Sequence, residues 1–132
     1  MVLVVCIDDS NGLMFNNRRV SSDKAVIQNL LGIADEPILL RAYSAPLFQG
    51  FEDRITICES VPTDAGIYFA ETGDFLALVD FVETLIVYKW NRRYPSDQKF
   101  PMDAFKNCMT LKNVEEFEGT SHPCITREVY VR

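Results

Sequence analysis

Val2-Leu3-Val4-Val5-Cys6-Ile7, closed by Asp8 and Asp9, is an unbroken apolar run. A strand with one wet face would alternate polar and apolar residues. This one does not, so it reads as buried on both faces, which suits a parallel sheet covered by helices. Outward from it, Ser10-Asn11-Gly12 is a turn signal. A loop through Leu13-Met14-Phe15 and Asn17-Arg18-Arg19 comes next. Ser21 or Ser22 is placed to cap a helix, with Asp23 in its first turn, where the helix dipole favours a carboxylate. Ala25, Val26, Leu30 and Leu31 give that helix an apolar side, and Gly32 is placed to end it.

The alternation continues. Pro37 opens a strand over Ile38-Leu39-Leu40, and Ser44 is placed to cap a short helical turn through Phe48. Further strands are expected at Ile55 to Cys58, Ile67 to Ala70 and Leu85 to Tyr88. Thr72 to Val82 has helical spacing. Phe69, Phe75 and Phe81 read as core. Two late segments, Met109 to Phe117 and Cys124 to Val131, flank Glu118-Gly119-Thr120 and read as an antiparallel pair. Strands alternating with helices, then a hairpin, predict a three-layer α/β domain over residues 1–132. Its central sheet should be mostly parallel, with an antiparallel C-terminal hairpin.

Composition sets the function classes. The chain has 132 residues, 48% hydrophobic and 24% charged, which is ordinary for one globular domain. A net charge of −6 disfavours a nucleic-acid partner, because that binding rests on neutralising phosphates. No apolar run is long enough to span a bilayer, so no membrane partner is expected. The first apolar run is too short for a signal-peptide core and lacks a basic leader, so a cytoplasmic location is expected. Cys6, Cys58, Cys108 and Cys124 form no C-x-x-C pair, so they are expected as free, mostly buried thiols, with no metal.

The order of these motifs resembles the dihydrofolate reductase-like superfamily, of which this would be a divergent and shortened member. The match runs from the first strand, through Asn11-Gly12-Leu13 and Val20-Ser21-Ser22-Asp23, to Arg41-Ala42-Tyr43-Ser44. It continues without a gap from Ile67 to Trp90, then through Phe100-Pro101, the late hairpin and Arg132. The resemblance implies that Asp23 is the catalytic acid, a role that at neutral pH requires burial to raise its pKa. It also places Ser44 and Tyr88 against a ligand. The paired glycines that let the family's backbone approach the NADPH pyrophosphate are replaced by Ala70-Glu71. Two unit charges 4 Å apart repel by roughly 4 kcal/mol at an effective dielectric of ~20. The arginine that reads the cofactor's 2′-phosphate is replaced by Ala42, and the one that grips the folate glutamate has no match, Arg54 being out of register. No cofactor is therefore expected, NADPH being disfavoured, and classical dihydrofolate reductase activity is not expected.

The sequence adds a feature of its own. Asn-Arg-Arg occurs as Asn17-Arg18-Arg19 and again as Asn91-Arg92-Arg93. If both loops meet at the strand-end edge, where open α/β sheets bind ligands, their guanidinium forks suit a carboxylate or phosphate. Trp90 and Tyr94 would offer a stacking face. The competing reading pairs these arginines with Asp8, Asp9 or Asp97. His122, the single histidine, sits beside Pro123 in a hairpin loop and reads as a surface residue, making no triad with Ser121 and Asp23. A metal nuclease of the ribonuclease Z type needs a histidine–aspartate cluster that one histidine cannot supply. Three functions remain: a binder of a small anionic or heterocyclic ligand with a degraded NADPH site, a divergent NAD(P)H-dependent reductase of a pterin- or flavin-like substrate, and a non-catalytic homodimeric interaction protein.

Overall fold

A computed structural model describes residues 1–64 and 66–132. Its central sheet is built from β1 (Val2–Ile7), β4 (Ile38–Leu40), β5 (Ile55–Ile57), β6 (Ile67–Phe69), β7 (Thr84–Lys89), β9 (Thr110–Phe117) and β10 (Ile125–Val131). The order across the sheet is β5-β4-β6-β1-β7-β10-β9. The pairs from β5 to β7 are parallel, and β10 runs antiparallel to both β7 and β9. This is the expected mostly parallel sheet with an antiparallel C-terminal hairpin.

The central strand shows why the opening run has no polar face. Leu3, Val5 and Ile7 join one core, with Tyr68, Phe75, Phe100 and Phe105. Val4 joins the other, with Val26, Leu30, Phe48, Phe69 and Trp90. Successive side chains on a strand point to opposite faces, and here both faces are covered. The second core lies under α1 (Lys24–Ile33) and a 3₁₀ helix, Ala42–Phe48. The first lies under the 3₁₀ helix Phe75–Phe81 and α2 (Met102–Lys106). No described helix is long and apolar enough to cross a membrane.

Several local expectations are corrected. Asp23, not Ser21 or Ser22, is the N-cap of α1, accepting from the Ala25 N–H at 2.8 Å. The helix passes through Gly32 and ends at Ile33, where Arg54 donates to the Leu31 carbonyl. Ser44 does not cap its turn; its hydroxyl donates to Glu71 instead. The loop after Gly12 is a strand: β2 (Gly12–Phe15) pairs with β3 (Arg18–Arg19) and β8 (Gln98–Lys99) in a second, antiparallel sheet. Its partner β8 lies far along the chain, so no local pattern marks it. The helix expected over Thr72–Val82 is a shorter 3₁₀ segment, and Phe81 is exposed rather than core. The cysteines are free, but three are half-buried and Cys108 is exposed.

Candidate functional site

The N-terminus of α1 and the turn between β9 and β10 meet above the C-terminal end of the central strands. Asp23 takes the cap position of α1, so its carboxylate lies over the helix end and also meets that turn. It accepts from the Thr120 N–H at 2.9 Å, the Ser121 N–H at 2.8 Å and His122 Nδ1 at 2.9 Å. Gly119 makes the approach possible. A Cβ there would lie 2.6 Å from Asp23 Oδ2 and 2.7 Å from the His122 carbonyl.

Burial alone would raise the Asp23 pKa, but hydrogen bonds from His122, Ser121, Thr120 and Ala25 outweigh it and hold the carboxyl well below its ordinary range. These bonds favour the ionised form of Asp23. The raised pKa that the expected role as acid requires is opposed by these hydrogen bonds.

His122 is corrected too. It is buried, not a surface residue, and stacks on Trp90 with ring centroids 4.7 Å apart. A carboxylate only accepts, so Nδ1 carries the proton and Nε2 of the neutral ring is an acceptor. Ser21 Oγ lies 2.9 Å from Nε2 and Tyr94 Oη 3.1 Å. Ser121 and Asp23 do form a unit with His122, with Ser21 on its far side. The signal available beforehand was thin: Ser21 and Asp23 two positions apart before a helix, and one histidine in the chain.

Beside this cluster a cavity of about 200 Å³ opens between α1 and the Ala42–Phe48 turn. Val26, Ile27, Pro46, Leu47, Phe69 and Trp90 give it apolar walls, and Ser21, Lys24 and Glu71 bring polar groups to it. Trp90 Nε1 is buried without a hydrogen-bond partner among the described residues. The Cys6 thiol also reaches this cavity; burial, then the nearby Glu71 charge, pushes its pKa up and keeps it an inert thiol.

Glu71 is held by Arg19, which donates through Nε at 2.7 Å and Nη2 at 3.0 Å, and by the Ser44 hydroxyl at 2.8 Å. The same guanidinium lies 4.5 Å over the Tyr43 ring. Arg19 and Ser44 thus reach the site through Glu71. The two arginine loops do come together: Phe15, Arg18, Arg19, Tyr94 and Pro95 share one surface hollow. Arg93 lines a neighbouring one with Ser10 and Lys99. Asp8 and Asp97 are engaged by backbone N–H groups rather than by arginines. Arg18, Arg92 and Arg93 make no ion pair among the described residues. Tyr88 is fully buried, donates to Asn29 at 2.8 Å and does not line the cavity.

No family profile and no curated protein matches this chain. Among solved structures, dihydrofolate reductase from Enterococcus faecalis, complexed with NADP(H) and RAB-propyl, matches with a TM-score of 0.67 at 10% identity, covering 99% of this chain and 95% of that one. This corrects the expectation that no cofactor is used and NADPH is disfavoured, because the neighbour was solved with NADP(H) bound. The charge argument behind that expectation also weakens here, since Glu71 is neutralised by Arg19 and hydrogen-bonded by Ser44. With its strand order, its helix-covered sheet and this match, the chain has a dihydrofolate reductase-like fold.

Proposed function

We propose that the cavity between α1 and the Ala42–Phe48 turn binds a small planar heterocycle bearing an anionic group. Trp90 carries the reading. Its side chain lines the cavity beside Phe69, while its indole N–H is sealed off and has no partner among the described residues. A planar ligand would pack against these aromatic walls, and aromatic pairs of this kind contribute roughly 0.5–1.5 kcal/mol beyond the area they bury. Phe69, Ile27 and Leu47 provide the apolar contact area, Lys24 is a basic residue of the same lining, and Arg18 of β3 is a cation without an ion pair among the described residues. Few polar groups on an apolar wall is the usual composition of a small-ligand site.

Trp90 is the single tryptophan, so its fluorescence reports the cavity directly. Titration with dihydrofolate, flavin mononucleotide and adenosine monophosphate should quench it saturably for at least one. Lys24→Ala should weaken that ligand about tenfold, equal to about 1.4 kcal/mol. No quenching by any of the three would end this reading.

A second reading, NAD(P)H-dependent reduction of such a ring, rests on the NADP(H) complex of the structural neighbour. Beyond β6 the Glu71 charge is already paired with Arg19, so it opposes a phosphate less than a bare carboxylate would. The Thr72–Gly73 backbone and the exposed Arg41 would hold the cofactor, which supplies a hydride when bound. Calorimetry with NADPH tests this, and Arg41→Ala should weaken binding. Absence of heat at millimolar NADPH would remove it.

A further inference from the structure

We propose that Ser21, His122 and Asp23 form a nucleophile–base–carboxylate relay, and that Ser21 attacks carboxylic esters of small apolar acyl groups. The observation is geometric. Ser21 Oγ is 2.9 Å from His122 Nε2, and His122 Nδ1 is 2.9 Å from Asp23 Oδ2. That is the contact order required of an activated hydroxyl: a base within hydrogen-bond reach and a carboxylate behind it fixing the tautomer. The His122–Asp23 pair is buried, while Ser21 is partly exposed and lines the cavity. The stack on Trp90 holds the imidazole plane. Val26, Ile27 and Phe69 would receive the acyl group.

The step balances with water as co-reactant. Ser21 Oγ bonds to the ester carbon as its proton passes to His122 Nε2. The carbon–oxygen bond to the leaving alcohol breaks, and that alkoxide takes the proton. Water then gives a proton to Nε2 and attacks the acyl carbon. The acid departs and the proton returns to Ser21. Asp23 stays ionised throughout and acts as a positioning residue. Tyr94 Oη, 3.1 Å from Nε2, competes with Ser21 for the same lone pair.

This proposal uses the same cavity but does not need a heterocycle to bind there. The native chain is treated with an alkyl fluorophosphonate, which loses fluoride to the attacking hydroxyl, and the adduct is located by mass spectrometry. One adduct on Ser21 is expected, lost when the chain is unfolded in urea. Ser21→Ala, with its fold checked by circular dichroism, should slow labelling by about a hundredfold or more. Tyr94→Phe should speed it by freeing Nε2. Hydrolysis of p-nitrophenyl acetate should follow the same order. Absence of a Ser21 adduct in the folded chain, or equal labelling of the wild type and Ser21→Ala, would overturn the relay. Trp90 quenching by a heterocycle would be untouched by either result.

Discussion

Asp23 is a helix cap, the acceptor for a hairpin turn and the partner of a buried histidine at once. Removing the carboxylate leaves the His122 Nδ1–H and the Thr120 and Ser121 N–H groups without their acceptor, at about 1–3 kcal/mol for each that stays buried. Asp23→Ala should therefore destabilise the chain on that order in urea unfolding, well beyond the ~1 kcal/mol of a lost cap. The pH dependence follows from the sign of the shift. The Asp23 and Asp8 carboxyls both titrate below their ordinary 3.8 in the folded chain. Their stabilisation is fully present above that value and drains away as pH falls below it. The stability gap between wild type and Asp23→Asn should thus be constant near neutrality and narrow below about pH 4. A gap that widens in acid would contradict this assignment.

At the scale of elements, two glycines mark where segments distant in sequence touch. A Cβ on Gly12 would meet Ser96 Oγ at 2.6 Å and Asp8 Oδ1 at 2.8 Å. One on Gly119 would meet Asp23 Oδ2 at 2.6 Å. Overpacking of this kind costs roughly 1–3 kcal/mol. Gly12→Ala should lower stability by about that much while leaving Trp90 fluorescence near its native value. Gly119→Ala should lower stability comparably and also change the fluorescence, because it displaces the turn carrying His122 from Asp23. Thermal melts with emission spectra would separate the two. The strands of the central sheet were legible in sequence because each is a compact apolar run with turn residues beside it. β3 and β8 were not, since each is two residues long and pairs with β2 alone among the described strands. Their stability is tertiary, and no period announces it.

Across the whole molecule, protection should be graded from the sheet centre outward. Leu3, Val4, Val5 and Ile7 of β1 have no accessible surface, and β1 is hydrogen-bonded on both sides by β6 and β7. Their amides should open only with global unfolding, whereas those of the small β3-β2-β8 sheet should exchange through local opening. Hydrogen exchange read by mass spectrometry would show the contrast, and uniform protection would refute it. The same centre-to-edge gradient places the site. The rigid ends of β1 and β7 carry Cys6 and Trp90, and the peripheral hairpin brings His122 onto them.

Sequence by itself determined the alternation of strands and helices and the mostly parallel sheet with its antiparallel hairpin. Unbroken apolar runs can only be buried on both faces, and a terminal hairpin can close such a sheet only in antiparallel fashion. It also marked Asp23, Trp90 and the arginine loops as positions to watch. Tertiary structure alone decided what those residues do. Whether a carboxylate donates or merely holds charge depends on how many N–H groups converge on it. Those facing Asp23 come from Ala25 beside it and from Thr120, Ser121 and His122 nearly a hundred positions away. Contact across that separation is set by chain topology, and spacing along the sequence carries no trace of it.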